Sequence, residues 1–236
     1  MPRDLATDTL EHALDRRRRP EPALPRTGGP RGNAQLTAWT GLVLLVLMLA
    51  EVATLISVRR LIAWHIVIGI LLVPPALLKI GVTGWRVVRY YAGSRPYRAA
   101  GPPPLLLRVL GPLVVVSTVA VLASGSLLIA LGEQQSRQSW GTALGHRLDW
   151  VTVHQVSFIA WAVATGLHVL GRLLPSLRLA AGARSERADG GGLRVAVLAL
   201  ALVVAGLASY LVLGAAGSWR HDRFEFRDGR PPHDGR

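Results

Sequence analysis

Histidines stand at matching ends of two long apolar segments, His65 on one and His154 on the other. The second segment also carries His168, fourteen positions after His154. Fourteen residues of α-helix rise about 21 Å and stop about 40° short of four full circles. Both imidazoles therefore leave that helix on one side, near opposite faces of a bilayer. Imidazole is the commonest protein ligand for metals. This spacing suits metal-centred cofactors hung at two depths.

Other groups fall at the same two depths. Fourteen positions after His65 stands Lys79, the chain's single lysine, where a second pair of imidazoles would need a histidine. A lysine ligates a metal only when deprotonated. Its other roles are to meet a cofactor propionate, a quinone oxygen or a loop carboxylate, or to snorkel toward the headgroups. Glu51 is the sole acid well inside an apolar segment, close in depth to His65 and His154. A carboxylate there orients an imidazole or carries a quinol proton; the plainer role is a protonated acid bonded to a neighbouring helix. Charged side chains in the middle of a membrane helix cost about 2.5–3.5 kcal/mol on insertion scales, which makes such residues functional candidates. Gly69, one turn after His65, and Gly125 within Ser124-Gly125-Ser126 would let a porphyrin or another backbone come close. The plainer role for the histidines is interfacial anchoring, beside Trp64 and Trp150.

The elements that place these residues follow from composition. Of 236 residues, 50% are hydrophobic and 17% charged, against about 25% charged in soluble domains. The apolar residues run in stretches of about 20, enough to cross a hydrocarbon core as helices, which satisfy their own backbone groups. Five spans are expected, at about 36–58, 61–85, 105–131, 150–174 and 194–217. The fold class is an all-α five-helix membrane bundle. Residues 1–35, with Arg16 to Arg19, read as a disordered tail, and 218–236 as a polar tail with His221 and His233. Pro74-Pro75 predicts a kink in the second span. Cysteine is absent, which excludes disulfides, iron–sulfur clusters and thiolate metal sites. The net charge of +13 is assigned to arginines flanking membrane spans and facing lipid headgroups, not to nucleic acid.

Arginine counting sets the orientation. The amino-terminal tail, the 86–104 loop and the 172–193 loop are arginine-rich, whereas 132–149 carries only Arg137 and Arg147. The amino terminus is expected in the cytoplasm and the carboxyl terminus outside. Trp39 and Trp85 then mark the inner interface, and Trp64, Trp140, Trp150 and Trp219 the outer one. The second and fourth spans run parallel, so His65 and His154 share a depth about one turn below the outer surface. Two imidazoles at one depth on different helices suit the two axial positions of a haem iron.

The stretch Trp64-His65 to Gly69, Pro74-Pro75, Lys79, Gly84-Trp85-Arg86, Arg89-Tyr90-Tyr91 and Pro96-Tyr97-Arg98 resembles a group of actinobacterial cytochrome b-like membrane proteins. Some of these accompany molybdopterin-dependent oxidoreductases. The His154–His168 spacing is similar to that of diheme cytochromes b, including quinol-linked dehydrogenase subunits. The resemblance covers about 61–175. It implies a haem-b protein of the bacterial inner membrane that passes electrons between a quinone pool and a partner oxidoreductase. His65 and His154 would be the axial ligands, with His168, Lys79 and Glu51 as further cofactor contacts. Lys79 departs from the diheme pattern, so one haem is expected rather than two.

The chain carries no nicotinamide, flavin or molybdenum-binding motif, so substrate chemistry would belong to the partner and not to a stand-alone enzyme. Two other classes stay open: a cofactor-free membrane anchor or assembly protein, and a small proton-coupled transporter using Glu51, Lys79 and His168. No internal repeat supports the transporter.

Overall fold

The computed structural model describes residues 10–11, 14, 21–101, 105–143, 145–182, 189–214, 217 and 219. The arginine run at 16–19 and both carboxyl-terminal histidines, His221 and His233, lie outside the described residues. Helix α1 runs Gly29–Thr54. A 3-10 turn, Leu55–Ser57, leads into α2, Val58–Tyr91. A short helix α3, Arg95–Ala99, precedes α4, Leu105–Ser136. Strands β1, Gly141–Ala143, and β2, His146–Leu148, pair antiparallel ahead of α5, Trp150–Gly182, and α6, Gly191–Val212.

Among the described residues, four continuous helical segments are long and apolar enough to cross a membrane: Gly29–Tyr91, Leu107–Ser136, Trp150–Ala180 and Gly191–Val212. The first, of 63 residues, doubles back on itself. At Ser57 the backbone leaves helical geometry (φ −148°, ψ 66°), and α2 then packs along α1. The outward faces are apolar: Val46, Leu49, Val116, Leu170 and Leu207 are all well exposed. Such a surface suits lipid and not water.

Several element boundaries differ from the sequence expectation. The first helix begins at Gly29 rather than 36, because Gly28 takes a left-handed conformation (φ 72°) and Pro30 fits the first turn. Residues 29–35 are therefore helical and not part of a disordered tail. The expected 86–104 loop is largely helical, since α2 reaches Tyr91 and α3 follows. The expected 172–193 loop begins only after Gly182, because leucines at 173, 174, 177 and 179 sustain an apolar helical pattern past Arg172. The last helix stops at Val212, short of 217. The β1–β2 hairpin departs from a purely helical chain; Gly145 makes its turn with φ 79°.

Helices α1, α2, α4 and α5 form a closed ring. α1 packs on α2 and α5, α2 also packs on α4, and α4 packs on α5. The diagonal partners, α2 with α5 and α1 with α4, make no comparable contact. Polar pins fix the neighbours. Asn33 Nδ2 donates to the Val82 carbonyl across α1 and α2 (3.0 Å), and Trp161 Nε1 donates to Thr118 Oγ1 across α5 and α4 (3.1 Å). Helix α6 sits outside the ring against α2, where Ser209 Oγ donates to the Val67 carbonyl (3.0 Å). Buried Arg194, near the start of α6, donates to the Asp189 carbonyl (2.9 Å) beside the close-packed Gly28 and Gly32.

Candidate functional site

A cavity of about 2450 Å³ opens between α1, α2, α4 and α5. Ligand pockets commonly measure about 300–1,000 Å³, so this one has room for more than one ligand-sized body. Its walls are mainly apolar. The histidines, Glu51 and Lys79 reach it at two levels.

The first level holds His65 and His154. Their rings project from the diagonal helices α2 and α5 and stand 6.3 Å apart between centroids, inclined at 79°. Each ring is held at Nδ1 by its own neighbouring helix. His65 Nδ1 lies 2.9 Å from Thr54 Oγ1 and 3.0 Å from Glu51 Oε1. His154 Nδ1 lies 3.0 Å from Ser124 Oγ.

The hydroxyl protons decide which tautomer these contacts require. Thr54 Oγ1 donates to the Glu51 carbonyl (2.5 Å), and Ser124 Oγ donates to the Val121 carbonyl (3.1 Å). A hydroxyl has one proton to give. With each hydroxyl proton given to its helix carbonyl, both hydroxyls accept from the rings, and each imidazole then carries its hydrogen on Nδ1. Nε2 of each ring is left with its lone pair, outside these bonds. Metal-ligating histidines show the same arrangement, with the second nitrogen donating to a carboxylate or other oxygen.

Two glycines make room for these groups. A Cβ on Gly125 would sit 3.1 Å from His154 Cε1, and one on Gly69 would sit 3.3 Å from Glu51 Oε1. Both glycines were expected to admit a porphyrin or a helix backbone. Here each clears space for a side chain of the cluster itself.

The second level, at the other end of the cavity, holds Lys79 and His168. Lys79 Nζ donates to the Thr37 carbonyl of α1 (2.9 Å) and lies against Gly41, where a Cβ would be only 2.6 Å away. His168 is within electrostatic reach of Lys79 and Arg172. Lys79 is thus turned toward α1 and does not snorkel along the outside. With His65 near His154 and Lys79 near His168, α2 and α5 run the same way.

The sequence-expected residues thus divide into Glu51, His65 and His154 at one end and Lys79 and His168 at the other. Thr54 and Ser124, which set the tautomers, were not singled out for that role. The signal available for each was a hydroxyl on a helix otherwise lined by apolar residues. Arg172 was counted as a loop arginine but lies inside α5 and lines the cavity.

Outside the apolar segments, Asp149 caps α5. The Thr152 backbone N–H donates to its Oδ1 (2.7 Å), and this bond, helped by Arg147 and Arg137, holds the carboxyl below the usual aspartate range. The cap fixes the start of the helix one turn before His154. Comparisons of the chain with family models, with curated proteins and with solved structures find no match.

Proposed function

We propose that this chain is a haem-b-binding membrane electron-transfer subunit, with His65 and His154 as the axial pair. The observation that carries the reading is the separation of the two rings. A ring nitrogen lies about 1.1 Å from its imidazole centroid, and a bound metal about 2.0–2.1 Å beyond it. Two imidazoles on opposite sides of one metal therefore have centroids about 6.3 Å apart, by the same bond lengths. The observed separation is 6.3 Å. Both Nδ1 atoms are engaged behind the rings, which favours ligation through Nε2. Axial bis-imidazole ligation suits haem, whose macrocycle supplies the other four nitrogens.

In this reading the long first segment crosses the bilayer twice, giving five crossings. The amino terminus is cytoplasmic, the carboxyl terminus is outside, and the histidine pair lies near the outer face. Exposed Trp64 and Trp140 at that end fit an interfacial belt. When bound, haem iron supplies one-electron redox chemistry. The protein's own residues hold the ring nitrogens in one tautomer, and Glu51 places an acceptor against His65. The apolar wall keeps water from the cofactor. Electrons pass between the quinone pool and a partner oxidoreductase that carries out the substrate chemistry. The depth of the cavity favours this class over a cofactor-free anchor, which needs no internal space.

A reduced-minus-oxidised visible spectrum of the purified full-length protein tests the reading. Bis-imidazole haem gives a sharp α band, and His65→Ala and His154→Ala should each abolish it. His168→Ala should leave the band from this site intact. A protein isolated from haem-replete cells without any α band would refute the proposal.

A further inference from the structure

The far end of the cavity gathers several donors, beside the Glu21 carboxylate whose Oε2 is also buried without a partner. Lys79 is an ammonium with three hydrogens to donate, yet its one hydrogen bond goes to the Thr37 carbonyl. Thr165 and His168 stand one turn apart on α5 and both line the cavity. Thr165 Oγ1 and His168 Nδ1 are buried without a hydrogen-bond partner. Arg172 follows on the same face of α5, three, four and seven residues being the spacings that align on a helix. The carboxylate described at this end belongs to Glu21, whose Oε1 already accepts from Arg86 (2.8 Å).

Burying polar groups without partners is unfavourable. A negatively charged oxygen group accepts hydrogen bonds from donors of the three kinds that Lys79, Thr165 and His168 carry. Charge-assisted hydrogen bonds of this kind are the strong ones. Between this end and the histidine pair the cavity walls are mainly apolar, which suits a hydrocarbon or ring body.

We propose that the Lys79 end of the cavity binds the anionic oxygen headgroup, phosphate or carboxylate, of an amphipathic molecule whose apolar body lies within the four-helix ring. Lys79 supplies the charge, Thr165 and His168 supply directional hydrogen bonds, and Gly41 gives the ammonium its place. The site stands independently of the histidine pair, and its test does not require a metal at His65 and His154.

Native mass spectrometry on the full-length protein in a mild detergent provides the test. The probes are phosphatidylglycerol, phosphatidylcholine and inorganic phosphate, with haem counted in parallel by the pyridine haemochrome spectrum. Phosphatidylglycerol should bind in preference to phosphatidylcholine, and Lys79→Met should weaken it roughly tenfold or more, as expected for loss of a charged hydrogen bond. Thr165→Val, which keeps the shape and the helix, should weaken it to a lesser degree. Binding of phosphate alone, lost in Lys79→Met, would support the headgroup site and identify a free anion as its source. A second haem per chain, lost in the same variant while the first remains, would support it with the porphyrin carboxylates as the source. Equal binding of both lipids, together with no phosphate and no second haem, would overturn the proposal. So would anion binding that neither Lys79→Met nor Thr165→Val weakens.

Discussion

Gly125 on α4 faces the imidazole of His154 so closely that a methyl group in place of its hydrogen would lie 3.1 Å from Cε1. The ring is thus wedged between helix backbone on one side and the cavity on the other, with Ser124 next door holding Nδ1 at 3.0 Å. Alanine here must push the ring outward by a few tenths of an ångström. Gly125→Ala should therefore shift the α band or lower haem content, while far-ultraviolet circular dichroism stays unchanged. Gly125→Val adds bulk that the ring cannot evade within its helix and should abolish the band. An unaltered spectrum in Gly125→Val would show that His154 is not held where the ligand role needs it.

Glu51 Oε1 lies 3.0 Å from His65 Nδ1, so in the proposed site it would act through that imidazole. Replacing such an outer partner of a metal ligand typically costs about 10–100-fold in affinity. Glu51→Leu should lose haem on dilution or washing by a factor in that range. Glu51→Gln, which keeps an acceptor oxygen, should retain most of it. Thr54→Val removes the other acceptor and should act in the same direction. Haem retention assayed by repeated size-exclusion passes separates the variants, and the double variant should lose more than either single one. If all three hold haem as the parent does, His65 needs no such support.

The large features were legible in the sequence because they depend on local pattern. Runs of apolar residues mark the helices, and the matched depths of His65 and His154 come from counting along two segments. Tertiary neighbours were not legible. Nothing in the sequence says that α4 lies beside α5, so Ser124 could not be assigned to His154. Gly69 and Gly125 were noticed, but their use could not be read, because a glycine shows where space is needed and not what fills it. Gly41 went unnoticed for the same reason. Arg172 was counted with the following loop when arginines were used for orientation, whereas the leucines beyond it carry the helix on to Gly182. The hairpin Gly141–Leu148 was missed because its strands are three residues each, too short for alternation to register.

Asp149 gives a prediction with a definite pH dependence. Its carboxylate accepts from the Thr152 N–H and its pKa is lowered in the folded protein. A depressed pKa means that the stabilising contribution is present above the unfolded value, about 3.9, and is lost as pH falls through the folded one. At neutral pH, Asp149→Ala should destabilise the protein by about 0.5–2 kcal/mol, the usual cost of losing an N-cap. Asp149→Asn caps without a charge and should stay near wild type. The gap between wild type and Asp149→Ala should narrow below about pH 4, where the unfolded-state aspartate begins to protonate. Thermal melts in detergent across that range measure it, and a gap that widens in acid would contradict the capping role.

Lys79 and Gly41 allow the position of a charge to be varied while the charge itself is kept. A Cβ at Gly41 would come 2.6 Å from Nζ, so Gly41→Ala must displace the ammonium from the Thr37 carbonyl. Two effects on stability then oppose each other. Losing that hydrogen bond costs about 0.5–1.5 kcal/mol. Replacing a glycine inside a helix by alanine returns about 0.5–1 kcal/mol. The melting temperature of Gly41→Ala should therefore stay close to that of the parent. Binding of the anionic amphiphile should nevertheless weaken, because the ammonium is no longer held against Thr37 and Gly41. Lys79→Met should weaken it further, since it removes the charge as well as the placement. Titration of phosphatidylglycerol against the three proteins, read by native mass spectrometry, should give the order parent, Gly41→Ala, Lys79→Met. If Gly41→Ala binds as tightly as the parent, the headgroup does not depend on where α1 holds the ammonium.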